Sequence, residues 1–147
     1  IGGGILFPYS ENWMSEHDGS KVNQKDKQFV SPLDYPQDFY PKINNFFKEN
    51  QVLEFGNFSL QIIKTPGHTK GGVCFYDEKN KLLFSGDTLF QDAVGRYDLP
   101  TSNKQELIES IEKLSKLNFE LLMPGHGSVL QGKQDENFDA AFSLLRD

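Results

Sequence analysis

The strongest constraint in this chain of 147 residues is one figure used three times: a short apolar run, a breaker, and a metal-capable side chain just beyond it. Leu60, Ile62 and Ile63 make an apolar strand that Pro66 and Gly67 stop, leaving His68 on a tight turn at its tip. Leu82 to Phe84 run as a second strand into Ser85-Gly86-Asp87, so a carboxylate again sits just past a buried strand. Phe119 to Met123 repeat the figure, with Pro124 and Gly125 as the breakers before His126. Separations of nineteen and thirty-nine residues are too wide for a local zinc finger and natural for strand ends that meet at one sheet edge. Three strand-end turns are therefore expected to point at one site, with His68, Asp87 and His126 as its metal ligands.

TPGHT, SGDTLF, GRYDLP and PGHG, in this order, resemble the later motifs of the metallo-beta-lactamase superfamily, and more narrowly those of the small, single-domain glyoxalase II-like hydrolases. The resemblance covers nearly the whole chain. It implies an α+β fold, the four-layer αββα sandwich, with residues 1–147 forming one domain that holds about the C-terminal two-thirds of it. The family's His-x-His-x-Asp-His run supplies four metal ligands and is typically followed by Ile-Gly-Gly. This chain opens with Ile1-Gly2-Gly3-Gly4, so it is expected to start just after that run. The missing strands would leave an exposed sheet edge and apolar face, which invites a homodimer or aggregation.

Two histidines and an aspartate suit zinc, iron or manganese, and catalytic sites built from such donors keep coordination positions open for water. By the resemblance, His68 joins the first of two divalent ions, Asp87 bridges, and His126 joins the second; zinc is the expected metal. The absent run would add two histidines to the first ion and an Asp-His pair to the second. The catalytic group is then a metal-bound water held by His68, Asp87 and His126, which attacks an acyl carbon without a serine or cysteine nucleophile. Taken singly, each ligand has a local explanation: the histidines cap turns and Asp87 accepts backbone N–H groups. Three such coincidences inside the family's own motifs favour the metal reading.

Arg96 and Asp98 in GRYDLP match the Gly-Arg-x-Asp pattern of the glyoxalase II-like group, which implies a pair that orients the metal ligands, with Thr69 of TPGHT in the same role; the alternative is a loop salt bridge. Tyr97 faces substrate or packs. Trp13, in SENWMSEHDGSKVN, matches a pattern found in a loop beside the active site of such enzymes; otherwise it is a core residue in a surface loop. His17 next to Asp18 invites a reading as displaced metal ligands, which is rejected because a lone His in a Ser-, Asp- and Lys-rich loop is usually solvated and no strand is expected to present it. Cys74, between apolar neighbours in mid-strand, is read as a packed residue and not a thiol nucleophile.

The resemblance implies a hydrolase acting on a small molecule, a thioester or related acyl compound. Asp87 stands where the zinc lactamases often carry Cys, which argues against a beta-lactam. Gly127-Ser128 replaces the Glu-Tyr that follows the last metal histidine in authentic glyoxalase II, which argues against a glutathione thioester in particular. Two further readings stand: a mononuclear iron persulfide dioxygenase, which shares Gly-Arg-x-Asp, and a non-catalytic remnant of the fold serving as an interaction module.

A net charge of −6 with no cluster of Lys or Arg argues against nucleic acid as partner. A single cysteine leaves no intramolecular disulfide framework and suits a reducing cytoplasm, and no apolar run approaches the ~18 residues of a membrane span. Elsewhere, residues 11–32 read as irregular and Tyr35 to Asn50 as a short helix, broken near Pro41, with Ile43, Phe46 and Phe47 inward. Val52 to Ile63 reads as a hairpin turning at Gly56-Asn57, with Phe58, Leu60 and Ile62 on its buried face. Val73 to Tyr76 and Leu82 to Phe84 read as strands joined through Asp77 to Asn80. A helix carries Leu107, Ile108, Ile111, Leu114 and Leu117 behind a capping box at Ser102-x-x-Gln105, and a last helix covers Asp135 to Leu145.

Overall fold

A computed structural model describes residues 9–26 and 41–146. The chain divides into two compact units, Ile1–Lys48 and Glu49–Asp147. The opening IGGGILFP stretch and residues 27–40 lie outside the described residues.

In the first unit, β1 (Trp13–Ser15) leads directly into α1 (Glu16–Asn23), and β2 (Asn45–Phe47) pairs with β1 in parallel. The irregular segment expected over residues 11–32 thus contains a helix. Ser15 caps it by accepting from the Asp18 N–H at 3.3 Å, and Glu16 and Asp18 place acidic charge in its first turn, where the helix dipole favours it. Its buried face is only Gly19 and Val22, so the apolar periodicity that betrays a helix is absent. Gly19 packs closely: a Cβ there would stand 2.9 Å from the Phe46 ring and 3.0 Å from Ile43 Cγ2.

The helix expected over Tyr35 to Asn50 does not form where that stretch is described. Residues 41–44 are irregular and Asn45–Phe47 is a strand. Asn44 and Asn45 are poor helix formers, the consecutive phenylalanines suit a strand, and pairing with β1 decides it. Ile43 is buried, held by reciprocal 2.9 Å hydrogen bonds between its backbone and the Asn23 amide, whereas Phe46 is exposed.

The second unit is a six-stranded sheet with two helices. Its strands are β3 (Val52–Phe55), β4 (Phe58–Lys64), β5 (Val73–Asp77), β6 (Leu82–Gly86), β9 (Leu121–Pro124) and β10 (Leu130–Gln131), in the spatial order β10-β9-β6-β5-β4-β3. A small hairpin, β7 (Leu89–Phe90) with β8 (Ala93–Val94), and α2 (Lys104–Leu114) lie between β6 and β9; α3 (Gln134–Arg146) ends the chain. The β3–β4 turn passes through Gly56 at φ 58, as its sequence predicts. Phe58 is exposed rather than buried, because it pairs with Phe55 beside the turn at the sheet edge.

Alternation divides the sheet residues between two faces. Ile63, Cys74, Tyr76, Leu83 and Leu122 join Leu107, Ile111, Leu114, Phe138, Ala141 and Leu145 from the helices in one core. Each such aliphatic side chain taken fully out of water contributes ~1.5–3 kcal/mol, so this layer dominates the unit's stability. On the other face, Ile62, Phe75, Phe84 and Met123 are in register across four strands. Ile62 and Ile63 are therefore both buried, on opposite faces.

The capping of α2 is displaced by one residue from the expected box. Asn103 is the N-cap, its side chain accepting from the Glu106 N–H at 3.0 Å, while the Ser102 hydroxyl bonds the backbone of Leu99 on both sides. At the other end of the unit, Gln134 donates to the Leu117 carbonyl at 2.6 Å, tying the start of α3 to the segment that enters β9. No helix among the described residues is long and apolar enough to cross a membrane.

Candidate metal centre

Strand direction brings the three ligand turns together. β4, β5 and β6 are successively antiparallel, and β9 runs parallel to β6, with Leu82, Leu83 and Phe84 opposite Leu121, Leu122 and Met123. β4, β6 and β9 therefore run the same way and end at the same edge, where His68, Asp87 and His126 follow them. A parallel neighbour needs a long crossover, which the hairpin and α2 supply. The β6–β9 register shifts between Phe84 and Gly86, and Gly86 adopts φ 51. Such a bulge at a strand end re-aims the residue that follows, here Asp87.

Each turn is fixed by its own hydrogen bonds. Around His68, Thr65 N donates to Gly72 O at 2.9 Å, and the Thr69 carbonyl accepts from Gly67 N at 3.0 Å. The start of α2 locks the turn from outside: Asn103 N donates to Gly67 O at 2.8 Å and the Ser110 hydroxyl to Pro66 O at 2.7 Å. Gly67 sits at φ 136, and a side chain there would collide with Leu107. Around Asp87, Thr88 N donates to Ser85 O at 3.0 Å and Gly125 N to Gly86 O at 2.7 Å, which ties the Asp87 turn directly to the turn that carries His126.

His68 Nδ1 lies 2.8 Å from the carbonyl oxygen of Arg96. A carbonyl only accepts, so Nδ1 carries the proton and Nε2 keeps its lone pair free as a ligand atom. That Nε2 is 3.7 Å from Asp87 Oδ2, and His126 Nε2 is 3.7 Å from Asp87 Oδ1. Both separations exceed hydrogen-bond length. Two donors that share one ion at about 2.0–2.2 Å with tetrahedral geometry stand roughly 3.3–3.6 Å apart, close to both gaps. Each gap between Asp87 and a histidine thus leaves room for a divalent ion. The three side chains form an open row and not a closed cage: no group of three or more His, Cys, Asp or Glu side chains among the described residues is close enough to be one.

Two glycines make room for Asp87, one for its carboxylate and one for its backbone. A Cβ on Gly125 would strike Asp87 Oδ1, and one on Gly95 would strike the Asp87 carbonyl and crowd the His68 side chain. Sequence reasoning named neither as a site residue, although Gly125 stands inside MPGHG and Gly95 opens GRYDLP. It also passed over a buried polar thread beneath the site. The Thr65 hydroxyl lies 3.1 Å from that of Thr88 and 3.2 Å from Cys74 Sγ, so the turn before His68 and the turn after Asp87 share one hydrogen-bonded link.

Arg96 and Asp98 form a bidentate pair with both distances at 2.9 Å, which holds the Asp98 carboxyl below the usual range and raises the Arg96 guanidinium. Both side chains are largely exposed; what reaches His68 is the Arg96 backbone carbonyl. Thr69 contributes its backbone to the His68 turn. Tyr97 lies under the Lys104 ammonium, 5.4 Å from its ring centroid. Trp13 belongs to the first unit, where it stacks on Phe47 and donates to Glu11 at 3.2 Å. His17 lies 3.0 Å from Asp18 on α1.

Beside His126 an open groove of about 460 Å³ is lined by Phe90, Gln91, Asp92, His126, Gly127 and Ser128. Cys74, fully buried, is no competing nucleophile: burial pushes its thiol up to about 11, against a help of hydrogen bonds from Thr65 and Thr88.

Comparison with known proteins identifies the family. The family described as "Metallo-beta-lactamase superfamily" matches residues 6–126. Hydroxyacylglutathione hydrolase GloC of Haemophilus influenzae is 36% identical over 128 residues, covering 78% of this chain and 60% of that protein. Probable metallo-hydrolase YqgX of Bacillus subtilis is 42% identical over 97 residues, covering 63% of this chain and 46% of that protein. Among solved structures, TTHA1623 in a di-iron-bound form superposes with a TM-score of 0.67 at 31% identity, covering 82% of this chain and 59% of that one. The chain spans at most about 60% of the length of these relatives.

Proposed function

This chain belongs to the metallo-beta-lactamase superfamily, and from that premise we propose that the whole protein is a metal-dependent hydrolase of the glyoxalase II-like type, cleaving a small-molecule thioester in the cytoplasm. The observation that carries the reading is the Asp87 carboxylate, whose two oxygens each face one histidine Nε2 at a distance too long for a hydrogen bond and suited to sharing an ion.

His68 and Asp87 would hold one divalent ion, Asp87 and His126 the other, with zinc the expected metal. The remaining ligands are proposed to come from an HxHxDH run of the whole protein. When bound, such ions supply an activated water at neutral pH and polarise the acyl oxygen. The chain's own residues do the rest. Arg96 O fixes the His68 tautomer, Gly125 leaves space for the Asp87 carboxylate and Gly95 for the Asp87 backbone and the His68 side chain, and the groove beside His126 receives the acyl compound. Neither Cys74, buried and protonated, nor any serine is required as nucleophile.

The test is elemental analysis of the full-length protein purified without chelators, followed by a thioester hydrolysis screen. About two equivalents of zinc, iron or manganese, lost in Asp87→Ala, together with turnover, are expected. A folded full-length protein that binds no metal sinks the proposal. Iron with oxygen consumption and no thioester turnover replaces it with the persulfide dioxygenase reading.

A further inference from the structure

The groove beside His126 has a built wall. Phe90, Gln91 and Asp92 form the tip of the β7–β8 hairpin, and Asp92 adopts φ 53 there. The tip is clamped from below by Asn137 of α3, a side chain only 2% exposed: its Oδ1 accepts from Asp92 N at 2.6 Å and its Nδ2 donates to Phe90 O at 3.1 Å. A buried amide spent on both sides of a two-residue turn fixes where the side chains of Gln91 and Asp92 leave the backbone. His126, Gly127 and Ser128 complete the lining. Of the six described lining residues, Asp92 is the one carboxylate, and none is lysine or arginine. The Lys133 ammonium near the end of that loop is paired with Glu136 at 3.5 Å.

We propose that this groove is a subsite for a cationic group: Asp92 receives an ammonium at the end of the substrate remote from the reacting carbonyl, with Gln91 and Ser128 as neutral hydrogen-bond partners. The inference rests on the hydrolase reading above and deepens it, since it assigns the substrate class as amine-bearing acyl compounds. At the Asp92 end, remote from the ion that His126 would hold, a substrate tail with free carboxylates meets like charge, and no lysine or arginine among the described lining residues offsets it. Phe90 supplies an apolar contact for the methylenes between the two ends.

The test uses three hydrolysis-inert acyl amides of equal length ending in an ammonium, a methyl or a carboxylate. They are titrated into the full-length protein while backbone NMR signals of Gln91, Asp92, Gly127 and Ser128 are followed. The ammonium amide is expected to bind about fivefold tighter than the carboxylate amide, with the methyl amide between them, the modest scale of a partly exposed ion pair. Asp92→Asn keeps a residue that tolerates the left-handed backbone and should bring the three affinities together. Equal affinities in the wild type, a preference unchanged by Asp92→Asn, or no shift of the groove signals by the ammonium amide overturns the proposal. Thioesters hydrolysed with no charge preference sink the subsite and leave the hydrolase standing. A charge preference in a protein that hydrolyses no thioester sinks the hydrolase and leaves the subsite.

Discussion

The ring of His68 is held by a backbone atom: its Nδ1 donates to the carbonyl oxygen of Arg96, 2.8 Å away and twenty-eight positions along the chain. The Arg96 side chain turns outward and closes a two-point clamp on Asp98, so the ion pair shapes the peptide whose carbonyl meets the histidine. We propose that the pair acts on the site through the backbone.

Breaking that clamp should separate metal retention from folding. Asp98→Ala removes an exposed partner, so the melting temperature should stay nearly unchanged. Loss of the fixed His68 orientation should weaken metal binding roughly tenfold in competition with a chelator. Unchanged affinity would show that the Arg96 carbonyl keeps its place without the pair.

Gly125→Ala puts a methyl group where the Asp87 carboxylate lies. The methyl also crowds the Gly86 backbone, 3.1–3.2 Å away at the last residue of β6, a local adjustment at a strand end, so far-UV circular dichroism should match the wild type. Bound metal per chain should fall by at least half as Asp87 swings aside. Full metal occupancy in this variant would mean that Asp87 does not use its Oδ1 side.

Cys74 gives a pH dependence with a definite sign. Its thiol ionises near 9.0 when unconstrained and at about 11 in the fold, because burial disfavours the thiolate. The folded state thus holds its proton longer than the unfolded state. Its contribution is complete below pH 9 and is lost as pH rises towards 11, at a cost of ~2–3 kcal/mol. Urea unfolding of wild type and Cys74→Ala across that range should show a steeper fall for the wild type; parallel curves would contradict the shift.

Leu83 is fully buried at the centre of the helix-covered face, with Tyr76 and Leu122 as its registered neighbours. Leu83→Ala should cost ~2–5 kcal/mol in chemical denaturation. A loss below ~1 kcal/mol would mean that the sheet and helices close over the gap.

The candidate site was legible in the sequence because its residues sit where strands must stop. Pro66-Gly67, Ser85-Gly86 and Pro124-Gly125 end their strands through backbone chemistry local to a few positions, and His68, Asp87 and His126 follow from them. The first unit was much less legible. α1 buries only Gly19 and Val22, too little for a periodic signal, and Asn45–Phe47 became a strand because β1 offered it a partner. The α2 cap slipped from Ser102 to Asn103 for a similar reason: both residues can cap, and the Ser102 hydroxyl is engaged with Leu99.

By itself the sequence determined which segments could be strands, where each had to end, and that metal-capable side chains stood at three of those ends. These are short-range matters of propensity, alternation and breakers. Only the tertiary structure decided that β9 runs parallel beside β6, that Gly95 and Gly125 give their space to Asp87, and that a carbonyl from residue 96 sets the His68 tautomer. Contacts of that kind join positions tens of residues apart. They follow from strand order and crossover, which no local pattern of residues encodes.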